Sequence, residues 1–326
     1  MQRFSVIIPC YNAELFIGNC IEHLRKLSYN PNLYEIIFVD DCSMDHTSKV
    51  IAEFSLNSEL NIRLIKNETN LGPGKSRRKA AEEAKGEYLC FLDSDDWYES
   101  NILYDLDQEI KTRKSDIVMF DMSYVLRGKC MRKNFTSQLT YGDRYSYLLN
   151  CGESLCNLAV KRSLFLSVPF VDIRNGEDLA LVPLLIDKAQ LITHIDKSYY
   201  NYLMREDSAS LGKPSKMAYT NMLLAFQHIQ KYLYYDDNLS SHVEFLGIRT
   251  VLYNSTLMAI KGGNDNAVLT NIVLKFSNKF PFWHKNIYVK NLNKAKRLYL
   301  WGIKHNLWII CKAYAIIHTY LLTKKF

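Results

Sequence analysis

The chain has 326 residues, 48% of them hydrophobic and 23% charged, the balance of a globular protein with one large or two modest domains. The N-terminal MQRFSVIIPCYN lacks the apolar run and the small-residue cleavage site of a signal peptide. The eight cysteines (10, 20, 42, 90, 130, 151, 156 and 311) form no C-x-x-C pair, which argues against a zinc site or a disulfide framework and for reduced thiols in a cytosol. The net charge of +7 is unevenly spread: residues 267–326 carry eleven Lys and Arg and no acid, so residues 1–266 sum to −4. The chain is an acidic body with a basic tail.

The first 120 residues alternate between two periodicities. FSVIIP (4–9), EIIFVD (35–40), NIRLIK (61–66), EYLCFLD (87–93) and DIVMFD (116–121) are short, nearly continuous apolar runs, expected as strands covered on both faces. Between them Ile17, Cys20, Ile21, Leu24 and Leu27 share one helical face, with Asn12 expected to cap the helix, and residues 46–54 and 75–85 are the next two helices. Such alternation predicts a mostly parallel sheet flanked by helices, with ligands beyond the carboxyl ends of its strands. Residues 122–215 are less regular. From Lys216 onward the spacing is helical, broken by GGNDN at 262–266. The predicted division is a catalytic domain over 1–215, with a nucleotide-binding half (1–120) and an acceptor half (121–215), and a helical region over 216–326.

The predicted strand ends carry Pro9-Cys10-Tyr11-Asn12, Asp40-Asp41-Cys42-Ser43 and Asp93-Ser94-Asp95-Asp96. A single strand-end aspartate is ordinarily a turn former. Five carboxylates gathered at one edge repel each other unless a cation offsets them, and for oxygen ligands that cation is Mg²⁺ or Mn²⁺.

Together SVIIPCYN, VDDCSMD, NLGPGKSRRKA, GEYLCFLDSDDWY and GED resemble a family-2 glycosyltransferase of the GT-A fold, inverting and of the bacterial surface-polysaccharide type. The resemblance is dense over residues 4–100 and thin to about 210. It implies a UDP-sugar donor: Pro9 and Tyr11 at the base, with Tyr11 stacking on uracil, Asp41 accepting from uracil N3–H, and Asp40 orienting the loop. Arg77, chosen over Arg78, would reach base, ribose or phosphate. Asp93-Ser94-Asp95 matches the DXD motif, with Asp95 ligating Mn²⁺ or Mg²⁺, Asp93 at the ribose or metal, and Ser94 beside the nucleotide. Asp96 would cap the next helix or support its loop. Asp178 would be the base that takes the acceptor's proton, and Glu177 would bind acceptor or position the loop. Arg205, in an R-x-x-S segment ending at Ser208, would contact the diphosphate or an anionic acceptor; His194 is expected to be structural.

The tail holds Trp283, Trp301 and Trp308. Its stretch 307–322 is too short and too polar for a confident span. Aromatics interleaved with lysines predict peripheral attachment of 267–326 to an anionic membrane surface, on the cytoplasmic face, suited to a lipid-linked or other glycan acceptor. Nucleic acid is not an expected partner, because the body is acidic. Two competing readings are a nucleotidyltransferase, which would want a glycine-rich loop where Tyr11-Asn12-Ala13-Glu14 stands, and a non-catalytic nucleotide-sugar-binding module, which would not need Asp93, Asp95 and Asp178. A dinucleotide oxidoreductase is disfavoured because no G-x-G-x-x-G follows a strand.

Overall fold

A computed structural model describes residues 2–150, 154–174, 176–205, 214–233 and 239–324, with residues 322–324 described by backbone only. The chain forms two compact units, Met1–Leu203 and Met204–Phe326.

The first unit is built on one nine-stranded sheet. Strands β1 (Phe4–Cys10), β2 (Tyr34–Asp40), β3 (Ile62–Lys66) and β4 (Tyr88–Phe91) run parallel in the order β3-β2-β1-β4. Their crossovers are α1 (Ile17–Leu24), α2 (Thr47–Leu56) and α3 (Pro73–Glu83). Every residue of β1, β2 and β4 is buried, which explains their unbroken apolar runs. Beyond β4 the sheet is mixed: β5 (Trp97–Tyr98), β6 (Ile117–Leu126), β7 (Lys129–Lys133), β8 (Leu158–Lys161) and β9 (Ile192–Leu203) continue it in the order β8-β6-β9-β5, with β7 on β6. Strand β8 is antiparallel to β4 and β6, while β6 and β9 are parallel. Helices α4 (Ile102–Arg113), α5 (Arg144–Asn150), α6 (Arg162–Ser167) and α7 (Glu177–Lys188) complete the unit.

Two local features set the rim. The β1–β4 ladder ends at Ile7 and Phe91, so Pro9 lies past the last β4 partner and its missing N–H costs no bond on that side. There β1 and β4 part, at the point where the strand order reverses direction, which is where α/β sheets open a crevice. Asn12 does not cap α1. Helix α1 begins at Ile17 after an uncapped Phe16, and Asn12, at φ +48°, accepts instead from Met44 N at 2.9 Å. Asn tolerates this left-handed backbone, and its side chain ties two loops together.

The second unit is helical. Helices α8 (Ala218–Tyr232), α9 (Ser240–Gly247), α10 (Thr256–Lys261), α11 (Asn266–Lys279), α12 (Lys294–Lys304) and α13 (Trp308–Lys324) form it, and α9 continues through a π-helical stretch, Ile248–Ser255, into α10. A Cβ at Gly247 would lie 2.4 Å from both the Phe226 and Phe276 rings, so this glycine permits the close approach of α8 and α11. The tail aromatics divide. Trp283, Tyr299 and Trp308 are core, whereas Phe282, Trp301 and Tyr320 are exposed. Among the described residues no helix is long and apolar enough to cross a membrane. Seven cysteines are free thiols: five are buried, Cys42 is half-buried and Cys130 is exposed, while Cys151 lies outside the described residues.

Gly86 is fixed by the same close packing. A Cβ there would lie 2.5 Å from Phe4 C and Ser5 N, backbone atoms at the start of β1 that cannot turn aside. Gly86→Ala is expected to destabilise the first unit by about 2–3 kcal/mol, read as a lowered urea midpoint.

Candidate active site

The loops at the rim are knitted by side chains reaching from one crossover to the next. Asn12 N donates to Ser43 Oγ (3.0 Å), Ala13 N to Thr47 Oγ1 (2.7 Å) and Glu14 N to Asp45 Oδ2 (3.0 Å). Tyr11 rides on this loop with 52% of its surface exposed, while Pro9 is buried in β1.

Asp41 is only 3% exposed, and its carboxylate accepts from Gly72 N (2.7 Å), Leu71 N (2.9 Å) and Asn67 Nδ2 (2.8 Å). It therefore anchors the loop that launches α3, the part expected of Asp40. Asp40 accepts from Ser43 N at 3.0 Å and so closes its own turn. Gly72 stands at φ +86° immediately before α3, a conformation that glycine adopts freely. With its start pinned in this way, α3 delivers Arg77 into the interior.

Arg77 is not a solvated helix-surface residue. It is buried, and it bridges the two acidic motifs: Nη2 donates to Asp93 Oδ1 at 2.6 Å, Nη1 donates to Glu177 Oε1 at 2.7 Å, and Nη1 lies 3.6 Å from Asp178 Oδ1. Arg78 is spent on Glu82 and the carbonyl of Leu166, which separates the two candidate arginines. Helix α7 comes close to α3 because position 74 is glycine; a Cβ there would meet Glu177 Cγ at 3.0 Å.

The electrostatics follow from burial. Desolvation works against charge on Arg77, but Asp93, Asp178 and Glu177 outweigh it and hold the guanidinium protonated. Burial, then the charge of Asp178, push Glu177 up to about 7, with Arg77 pulling the other way. Burial also raises Asp178, opposed by Arg77 and by Leu155 N, which donates to its Oδ2 at 3.1 Å. Asp178 Oδ1 is itself buried and makes no hydrogen bond, with Arg77 Nη1 3.6 Å away, so the 19% of the side chain that is open to solvent lies elsewhere.

The 93–96 turn is braced from β9. Tyr200 OH accepts from Asp93 N (3.3 Å) and donates to Asp96, whose other oxygen accepts from Leu203 N at 2.7 Å. Asp96 is therefore the buried strut of the loop, and the α4 N-cap Asn101 leaves it no capping role. Burial, followed by the charges of Asp93 and Asp95, raises the Asp96 carboxyl well above the usual range. Ser94 and Asp95 are half-buried on the same turn. Trp97 stacks on His23 with ring centres 5.2 Å apart, and Tyr98 OH donates to Phe91 O, so both pack beneath the loop. His194 bonds Tyr147 and serves structure. Arg205 is half-buried in the second unit; Ser208 of the same motif, and Asn175 before Gly176-Glu177-Asp178, lie outside the described residues.

Sequence reasoning did not assign Tyr200, Asn67 or the backbone amide of Leu155. The alternation in Tyr199-Tyr200-Asn201-Tyr202 carried a signal for Tyr200; nothing local marks the other two. Among the described residues no group of three or more His, Cys, Asp or Glu could by itself hold a metal. Asp93 and Asp95 offer oxygen ligands alone, and a hard divalent cation on one or two carboxylates needs phosphate oxygens to complete its shell.

Residues 5–165 match the model for glycosyl transferase family 2. That segment, just under half of the chain, carries the family likeness. Poly(ribitol-phosphate) β-N-acetylglucosaminyltransferase TarS of Staphylococcus aureus is 36% identical over 126 residues, which are 38% of this chain and 22% of TarS. UDP-Glc:α-D-GlcNAc-diphosphoundecaprenol β-1,3-glucosyltransferase WfgD of Escherichia coli is 30% identical over 172 residues, 51% of this chain and 64% of WfgD. The crystal structure of TarS 1–349 with UDP-GlcNAc superposes with a TM-score of 0.70, over 99% of this chain and 92% of that one, at 22% identity. The mannosyltransferase PcManGT of Pyrobaculum calidifontis, solved with GDP-Man and Mn²⁺, gives a TM-score of 0.58 at 13% identity, covering 100% of this chain and 88% of that one. These likenesses are of fold, and the fold is GT-A.

Glu177 makes stability depend on pH in a defined direction. Its folded-state pKa, about 7, lies above its ordinary 4.5, so between these values the folded state holds the extra proton and stability falls as pH rises. Glu177→Gln is expected to remove that loss. The variant should gain on the native protein as pH goes from 4.5 to 7, measured as the difference between their urea unfolding free energies.

Proposed function

We propose that this chain is an inverting glycosyltransferase that moves a sugar from UDP to an acceptor hydroxyl, with Asp178 as the base. The carrying observation is the Arg77 bridge, which holds Asp93 of the DXD turn and the Glu177-Asp178 pair around one guanidinium. That juxtaposition supports a site in which an anionic donor and a base must be within reach of each other.

Each residue then has a task. Tyr11 offers a half-exposed ring for uracil. Asp41 uses three of a carboxylate's roughly four acceptor positions on the α3 loop, leaving one on Oδ2 for uracil N3–H. Pro9 and Ser94 line the nucleotide's path. Asp95, with Asp93, would hold Mn²⁺ or Mg²⁺ against the diphosphate, where the ion would offset the charge that grows on the departing UDP. Asp178, whose side chain is 19% open to solvent, receives the proton of the acceptor oxygen as that oxygen bonds to the anomeric carbon and the bond to UDP breaks. One displacement inverts the configuration. Arg77 opposes the burial that raises Asp178, and Glu177 positions the arginine and the acceptor. Arg205 is assigned to an anionic group of donor or acceptor.

The proposed acceptor is a glycan or lipid-linked intermediate of a bacterial surface polysaccharide, a reading supported by the substrates named for TarS and WfgD. The acid-free segment 267–326 would hold the enzyme peripherally on the anionic cytoplasmic leaflet, where each cation adds about 1 kcal/mol.

A panel of nucleotide sugars tests the reading. A UDP-sugar should support turnover, and Asp178→Asn should lower that turnover about 10²–10⁴-fold while leaving stabilisation by UDP with Mn²⁺ unchanged. An unaffected Asp178→Asn variant would remove the base, and equal stabilisation by GDP-sugars would remove the base-reading part given to Asp41.

A further inference from the structure

The turn Asp93-Ser94-Asp95-Asp96 is held at both ends by one side chain. Tyr200 OH accepts from Asp93 N at 3.3 Å and donates its own proton to Asp96. The turn also closes on itself, because Asp96 N donates to Asp93 O at 3.0 Å. Each end has a further fixed point: Asp93 Oδ1 accepts from Arg77 Nη2 at 2.6 Å, and Asp96 Oδ1 accepts from Leu203 N at 2.7 Å. Ser94 and Asp95 span the interval between these ends. The phenol therefore sets how far apart the ends lie, and with that where Asp95 is presented.

The phenol itself has little freedom. Tyr200 is 1% exposed, and its ring meets Tyr98 edge-on with centres 5.8 Å apart. Tyr98 is tied in turn by its hydroxyl to Phe91 O at 2.7 Å. Tyr200 pairs with Tyr98 on β5 and with Met122 on β6, directly after two register shifts in the β6–β9 ladder, at Phe120/Asp121 and Asp121/Met122. Such irregularities bend a strand and re-aim the side chains beside them. Tyr199, on the opposite face, sends its hydroxyl to Asp105 of α4. The Cys156 thiol also meets the Tyr200 hydroxyl, from the turn that contains Leu155. A phenylalanine would supply the same ring packing; what the hydroxyl adds is its pair of bonds to the 93–96 turn.

We propose that Tyr200 is a positioning residue for the divalent ion, its hydroxyl holding the 93–96 turn in the form in which Asp93 and Asp95 take Mn²⁺ or Mg²⁺ against a diphosphate. The proposal rests on the metal and UDP reading given above and names the group that tunes it. Tyr200 acts through the backbone of Asp93 and through Asp96. A hard cation held by only one or two protein carboxylates tolerates little displacement of them, and groups that orient metal ligands from behind commonly change metal affinity about 10–100-fold.

The test titrates UDP into the full chain at stepped Mn²⁺ concentrations, read by calorimetry, and finds the Mn²⁺ level that half-restores UDP affinity. Tyr200→Phe should need at least about tenfold more Mn²⁺ than the native chain, and at saturating Mn²⁺ its UDP affinity should return to the native value. Asp96→Asn, which keeps the side chain's size but weakens the strut, should raise the requirement about threefold, and it carries the test if Tyr200→Phe does not fold. Cys156→Ala removes a buried group from the same hydroxyl without touching the turn, and it should keep the native requirement. A native Mn²⁺ requirement in both Tyr200→Phe and Asp96→Asn overturns the proposal. So does a loss of UDP affinity that excess Mn²⁺ fails to restore, or a Cys156→Ala shift as large as that of Tyr200→Phe, because general damage to the site gives those results. A native chain that takes up UDP with no regard to Mn²⁺ removes instead the metal reading on which the proposal rests.

Discussion

One buried guanidinium organises the rim of the sheet. Without Arg77, Asp93, Glu177 and Asp178 would be three carboxylates converging in a poorly solvated space, which their mutual repulsion opposes. With it, two acidic motifs about 85 residues apart in sequence share a counter-ion and are fixed at hydrogen-bond distance around it. Deleting one member of such a buried group generally costs several kcal/mol, because the others are left without compensation. The arginine reaches this place through a chain of local causes: Asp41 pins Leu71 and Gly72, Gly72 takes a backbone that other residues rarely adopt, and α3 starts there.

The same arrangement separates the acidic residues by task. Asp96 is sealed beneath the loop by Tyr200 and Leu203 N and acts as a strut. Asp93 remains partly open, with 35% of its side chain accessible, while one oxygen holds Arg77. Asp178 has one oxygen on Leu155 N and the other without a hydrogen bond. Burial depth and donor count, more than identity, decide which carboxylate braces the site and which is left for a ligand or a proton.

Much of this was legible in the sequence. Strands β1, β2 and β4 were readable because strands buried on both faces are apolar at nearly every position, and acidic residues near the ends of β2 and β4 marked the rim; NIRLIK, expected to be covered on both faces, is instead the half-buried edge strand β3. Of the two candidate arginines, Arg77 is the buried one. Other features were not legible, for physical reasons. Whether Asp40 or Asp41 anchors the α3 loop depends on which carboxylate meets the Leu71 and Gly72 amides, a contact about thirty residues away in sequence. Asn12 carried a capping residue's identity but was drawn to Met44 N across a neighbouring crossover. In the tail, composition alone could not divide the aromatics between core and surface. Tyr299, which bonds Thr256, and the exposed Trp301 are two positions apart on α12, and packing against the rest of the helical unit separates them.

The central proposal is that Asp95 and Asp93, beside the Arg77 bridge, would hold a divalent ion against a nucleoside diphosphate. The most direct measurement is a calorimetric titration of UDP into the full chain, with Mn²⁺ and then with EDTA. Expected is one UDP per chain, with affinity lost on chelation and weakened at least about tenfold by Asp95→Asn. UDP uptake indifferent to metal and to Asp95, or no uptake in either buffer, would contradict the claim.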